Sequence, residues 1–437
     1  MNIRTLLFTA LLALCTSVAI AQDDGGSRET KKTPAMREKV YTVLSEAQVL
    51  LEEENNSAGA LNKLAQLEKM KDLNSYELAQ MWTFYGYVYF QQENYKGAKR
   101  AYENVLKQDP PEALQTSTTY TLAQLSFVTE DYDGAVRYLQ QWFRVAINPG
   151  PEPYILLCQG MYQQAAALSG SAAKKRYQEA IQPCLDGIAL AKQRGTEVRE
   201  NWYLLLRTFY YELNDFPQML GVLETLITTW PKKEYWIQLS GVYGELGQEK
   251  NQLAAYEIAY KQGFLTRGSE VVTLAQLFLQ AEVPYKAAKI LEDGIDKGMV
   301  ESNERNNRLL AQAWMLAAED DKAIAPLQRA AALTRGGEMD YRLAQTYFNL
   351  DQYDDAVSAA RDALNKGGLK RPDSVNVLLG MSLFNEKDYQ GSLRAFREAR
   401  NDDRSKKLAD QWITHVNSEI DRERQLAQAL RGRSSGR

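Results

Sequence analysis

The side chains able to do chemistry are few. His415 is the one histidine, so neither a His-Glu-x-x-His zinc site nor a Ser-His or Cys-His pair can be assembled in the body of the chain. Ser171-Ala172-Ala173-Lys174 has the spacing at which a lysine draws the proton from a nucleophilic serine in penicillin-binding proteins. The partner motifs SDN and KTG do not occur, and the four residues read as the start of an inserted helix. Glu130-Asp131-Tyr132-Asp133-Gly134 gathers carboxylates, but a calcium loop needs further oxygen ligands and a closing glutamate. Neither a phosphate-cradling GxxxxGK[ST] nor a GxSxG elbow is present. The expectation is therefore no catalytic residue, no metal, no cofactor and no enzyme.

The remaining reactive pair is Cys158 and Cys184, an even number in an oxidising compartment once Cys15 is removed with a leader. They are either a disulfide or two small buried hydrophobes.

The elements that position these residues are helices. The chain has 437 residues, is 45% hydrophobic and 25% charged, and carries a formal net charge of −4, so nothing in it advertises a nucleic-acid phosphate backbone. From Met36 to Arg404 the apolar period is helical, with Gly and Pro confined mainly to the breaks. In "MWTFYGYVYFQQENYKGAKRAYENVLKQDP", Trp82, Tyr85, Gly86, Tyr89, Ala98, Tyr102 and Pro110 fall where two helices touch, with Trp82 expected to be buried. The turn Asn94-Tyr95-Lys96-Gly97-Ala98 returns at Asp131, at Asn214-Asp215-Phe216, at Gln352-Tyr353 and at Asp388-Tyr389, each starting a second helix. Asn or Asp there accepts a hydrogen bond from the first turn.

Large-small pairs recur on first helices, among them Tyr85-Gly86, Leu122-Ala123, Leu274-Ala275, Leu343-Ala344 and Leu379-Gly380. Ala98, Ala135, Ala287, Ala323, Ala356 and Ser392 face them on second helices. The pattern is identified as the tetratricopeptide repeat, with a near-full match at 79–112. The expected fold is all-α, a superhelical solenoid of about ten helix pairs. Two units depart from it. One carries Arg207 and Met219 at small positions; in another an insertion, "ALSGSAAKKRYQ", separates the helices and Pro183 sits at an interior position, which implies a kink or a delayed start.

The ends read differently. Arg4, the apolar run Leu6 to Cys15 and Ala19-Ile20-Ala21 form a secretory leader, 1–21, cleaved before Gln22. Leu14 before Cys15 disfavours lipidation, and no segment qualifies as a membrane span, so the mature chain is expected to be exported and soluble. Residues 22–35 read as a disordered linker, 36–404 as the solenoid, 405–426 as a polar capping helix and 427–437 as a basic disordered tail.

The segments "LNSYELAQMWTFYGYVYF", "TYTLAQLSFVTEDYDGAVRYLQQWF", "NPGPEPYILLCQGMYQ" and "KKEYWIQLSGVYGELG" resemble the periplasmic tetratricopeptide proteins that accompany TonB, ExbB and ExbD energy-transducing systems in gammaproteobacteria. That resemblance implies a periplasmic location, TonB/ExbB/ExbD-type partners, and an accessory role in TonB-dependent uptake of iron complexes. The alternative is a scaffold for outer-membrane or peptidoglycan assembly.

Stacked first helices build the concave face of such a solenoid. Counted from each Trp82 equivalent, the groove positions are Tyr87 and Phe90, Gln124 and Phe127, Gln159 and Tyr162, Thr208 and Tyr211, Gln276 and Leu279, Gln312 and Met315, Gln345 and Phe348, and Met381 and Phe384. Amides beside aromatics suit an extended peptide, because an amide both donates to and accepts from its backbone. The competing reading is that the rings seal one repeat against the next.

Overall fold

A computed structural model describes residues 34–434. The leader and nearly all of the linker lie outside the described residues, as does the end of the tail. Twenty-one helices and no strand occur among the described residues: α1 Glu38–Glu52, α2 Ser57–Glu68, α3 Ser75–Gln91, α4 Tyr95–Leu106, α5 Glu112–Val128, α6 Tyr132–Val145, α7 Pro151–Ala166, α8 Gly170–Gln193, α9 Glu200–Glu212, α10 Phe216–Thr229, α11 Lys233–Glu245, α12 Glu249–Lys261, α13 Gly268–Gln280, α14 Pro284–Asp296, α15 Glu304–Leu316, α16 Asp320–Leu333, α17 Glu338–Asn349, α18 Tyr353–Lys366, α19 Pro372–Asn385, α20 Tyr389–Ala399 and α21 Asp403–Ser434. Odd-numbered members up to α19 are first helices and even-numbered ones second helices. Two compact units divide at Leu226, within α10.

One turn design joins most pairs. The second residue after the first helix is left-handed, as at Glu93 (φ 58°), Glu130 (57°), Asp351 (58°) and Lys387 (63°). The next N–H reaches back five residues into the helix, Asn94 to the Tyr89 carbonyl at 2.9 Å and Asp131 to that of Ser126 at 2.8 Å, which satisfies carbonyls the helix leaves open. The same residue then caps the second helix. Asn94 Oδ1 accepts from the Gly97 N–H at 3.0 Å, Asp131 Oδ1 from Gly134 at 2.9 Å and Asp388 Oδ1 from Gly391 at 2.8 Å. Glycine stands three residues on because a Cβ would lie 2.2 Å from the Asp131 or Asp388 carboxylate. Asp215 receives a longer bond, 3.3 Å from Gln218, and Gln352 makes no cap bond.

The large-small register is observed as read. Ala98, Ala135, Ala287, Ala323, Ala356 and Ser392 are fully buried, and so are Leu139, Leu223, Leu291 and Phe396 four residues on. At Gly86 a Cβ would come 2.7 Å from the Tyr102 ring, and at Gly380 2.8 Å from that of Phe396, so glycine sets how closely those helices approach. Where serine replaces alanine its hydroxyl bonds across the pair: Ser392 Oγ donates to the Gly380 carbonyl at 2.7 Å and Ser240 Oγ to that of Gln252 at 2.9 Å.

Four expectations need correction. The insertion does not separate two helices; it extends α8 at its N-terminus to 24 residues, and Pro183 lies inside α8 without ending it. Trp82 is half-buried, its ring 5.4 Å from that of Tyr85. The last helix continues to Ser434, so residues 427–434 are helical rather than a disordered tail. It is also not merely polar: Trp412 stacks on Phe396 at 5.4 Å, and Ala409 and Val416 close the core formed by Val377, Leu393 and Ala399.

Candidate interaction face

First helices meet first helices: α1 touches α3 and α7 touches α9 in the first unit, and α17 touches α19 in the second. The sequence-predicted groove residues all lie on first helices of one unit or the other. Tyr87, Gln124, Gln159 and Thr208 belong to the first unit; Gln276, Gln312, Gln345 and Met381 belong to the second. Gln276 and Gln312 are exposed, and Gln124, Gln159 and Gln345 are half-buried. Thr208 spends its hydroxyl on the Leu204 carbonyl, at 2.9 Å.

The phenylalanines have a different occupation. Phe90, Phe127, Phe348 and Phe384 pack against Tyr95, Tyr132, Tyr353 and Tyr389, the tyrosines that open their own second helices, with centroids 5.7, 6.0, 5.6 and 5.7 Å apart. Phe127 also fills the space over Gly160 of α7, where a Cβ would lie 3.1 Å from its ring. Tyr162 clusters with Tyr177 and Phe209 at about 6 Å. These rings close turns and repeat junctions, each half-buried ring keeping only part of its surface for a ligand. Tyr211 is the exception, 59% exposed.

Two polar features escaped the sequence reading. On the first unit's face, the Tyr87 hydroxyl donates to Glu52 Oε1 at 3.4 Å, and Gln91 Nε2 donates to the Tyr87 hydroxyl at 3.2 Å. Glu52 was hidden because the first repeat is degenerate. The second feature is a buried acid in the first turn of several first helices. Arg37 grips Glu77 through Nε at 2.8 Å and Nη2 at 2.6 Å, and the Asn74 N–H adds a bond at 3.0 Å. Arg37 thus holds the Glu77 carboxyl down to about 2. Burial pushes Glu270 up, but Lys233 at 2.7 Å and Arg267 at 2.7 Å bring it to about 2. Asp373, beside Arg371 at 2.6 Å and bonded by Ser405 at 2.6 Å, lies well below the ordinary carboxylate range. Alternating helical apolar positions conceal such acids, since only a capping-box reading of Asn74 and Glu77 signals one in sequence.

The residues weighed for catalysis are not brought together. Ser171 and Lys174 are exposed on the first turns of α8. His415 is exposed, its ring 5.1 Å from that of Phe384 and 5.6 Å from that of Trp412. Cys158 on α7 and Cys184 on α8 are fully buried with Cα atoms 5.5 Å apart, and they are joined as a disulfide. Among the described residues, no group of three or more His, Cys, Asp or Glu is placed to hold a metal, and no helix is long and apolar enough to cross a membrane.

Tetratricopeptide repeat family models match at 79–112 and 341–406. These two segments are tetratricopeptide repeats. The chain is similar to solved structures of MamA protein, with 17% identity over 40% of this chain and 94% of that one at a TM-score of 0.33. It is also similar to YrrB, described as a TPR protein with an unusual peptide-binding site, with 15% identity over 43% and 95% at 0.35. The Cut9–Hcn1 hetero-tetramer of APC/C matches with 13% identity over 86% and 84% at 0.29. No curated protein matches the sequence.

Proposed function

We propose that the protein is a binding scaffold, not an enzyme, that holds a segment of a partner protein on its first-helix face. We further propose that it is exported to the periplasm and serves as an accessory component of TonB-dependent uptake of iron complexes, with a TonB-, ExbB- or ExbD-type component as partner. What supports the scaffold reading is the recurrence of exposed or half-buried amides on successive first helices, Gln124 and Gln159 in the first unit and Gln276, Gln312 and Gln345 in the second. Carboxamides at repeating intervals match the alternating donors and acceptors of an extended backbone. The Cys158–Cys184 bridge supports an oxidising compartment. The uptake role rests on the family resemblance of the segments quoted above.

The test is capture of the partner from cells producing the tagged full-length chain, followed by its identification and by measurement of iron-complex uptake after deletion. Recovery of a TonB-system component together with reduced uptake is the expected result. Recovery of an outer-membrane assembly factor or a cell-wall synthase, with uptake intact, replaces the uptake role and leaves the scaffold.

A further inference from the structure

The first unit sorts its charges by helix. The first helices α3, α5 and α7 contain no lysine or arginine, and α1 and α9 contain only Lys39 and Arg207. The second helices α4, α6 and α8 between them hold nine, while α2 holds Lys63 alone and α10 none. Apart from Lys39 and Arg207, the charge these first helices show is negative. Glu52, held by Tyr87 and by Gln48 at 3.2 Å, is exposed on α1, and Glu212 is exposed at the end of α9. The first helices between them in the chain carry Tyr87, Gln124, Gln159 and Tyr162, and Tyr211 directly precedes Glu212 on α9.

At the edge of this layer a hollow of about 400 Å³ opens between the α5–α6 turn and the ends of α7 and α8, lined by Glu130, Asp131, Asp133, Gln163 and Arg176 among others. Its existence depends on the insertion, because Arg176 belongs to the extended part of α8. The basic groups nearby are already engaged: Lys99 pairs with Asp131, and Arg176 donates to Gln164 at 2.9 Å and to Glu179 at 2.7 Å. Asp133 accepts from Gln164 at 2.6 Å but meets no cation there.

We propose that the first unit's first-helix face takes an extended, basic, internal segment of a partner protein. This deepens the scaffold reading and rests on it. A layer whose only cations are Lys39 and Arg207, with carboxylates at both ends, attracts lysine and arginine by charge complementarity, and the exposed Tyr211 ring adds cation–π attraction for the same side chains. The same layer disfavours a C-terminal carboxylate or an acidic segment, since between α1 and α9 its first helices α3, α5 and α7 offer a carboxylate no ammonium or guanidinium partner.

The test is selection of random linear peptides, displayed internally, on the immobilised full-length chain, followed by anisotropy titration of the enriched peptides at two salt concentrations. The expected pool is net positive, and its binding weakens with salt. Paired Glu52→Gln and Glu212→Gln changes should weaken it about fivefold, and Gln159→Lys should weaken it further while helicity is retained. A neutral or acidic pool, or binding untouched by these changes, overturns the charge proposal and leaves the scaffold standing. Failure of any peptide to enrich, with no segment captured from cells, overturns both.

Discussion

Gly86 shows how much one atom decides at the residue scale. Its missing Cβ lets Tyr102 approach to a distance no side chain would permit, so Gly86→Leu should destabilise the chain by about 1–3 kcal/mol. Thermal unfolding of the variant checks this, and an unchanged midpoint would mean α3 and α4 do not meet at that point. Trp82 carries the opposite lesson. Half-buried rather than enclosed, it should cost only about 1–2 kcal/mol on truncation to alanine, less than the usual price of a fully buried aromatic. Glu77 is the residue with a pH signature. Its folded pKa of about 2 lies below its ordinary 4.5, so its contribution is complete above 4.5 and is lost as pH falls through about 2. Glu77→Gln should therefore lower stability by about 2 kcal/mol at neutral pH. The variant should also lose stability less steeply than the parent between about pH 5 and pH 2. Parallel acid limbs in urea melts taken across that range would contradict the Arg37 pairing.

At the scale of elements, the helix pair was legible because two signals agree: an apolar period of 3.6 and a turn that stops one helix and caps the next. Asn94, Asp131 and Asp388 were readable as caps from their residue type alone. The insertion was misread because a run of Ala, Lys, Gln and Arg after Gly170 has high helical propensity and simply joined the helix behind it. Pro183 did not prevent this, since the packing of Ala180, Cys184 and Ile188 holds α8 together on both sides of it. The end of α21 was misread for a related reason, as the Arg-rich composition of 427–434 suggested solvation where the backbone continues as helix. The α7–α8 pair is also the one with a covalent link. The bridge closes a loop across 26 residues, so Cys158→Ser with Cys184→Ser should cost about 3 kcal/mol. Calorimetry of oxidised and double-serine chains compares them directly, and equal transition temperatures would show the bridge contributes nothing.

On the scale of the whole molecule, fold and function were legible to different depths. Small residues at fixed intervals, from Ala98 to Ser392, specify helix pairs almost unaided, because a close helix approach tolerates nothing larger. The proposed interaction face was legible only as a register. Sequence spacing put Phe90, Phe127, Phe348 and Phe384 on it, but spacing does not reveal that a ring five residues on will occupy each of them. What remains accessible is amide, tyrosine and carboxylate, and the last of these entered through Glu52, in the least regular repeat.

The central claim is that a partner lies against first helices and not second ones. A photoreactive residue placed in cells at Gln124 on α5 and, separately, at Arg137 on the exposed side of α6 tests it most directly. The account predicts a discrete crosslinked adduct from position 124 and none from 137. Adducts from 137 with none from 124 would move the interface to the second helices and contradict it.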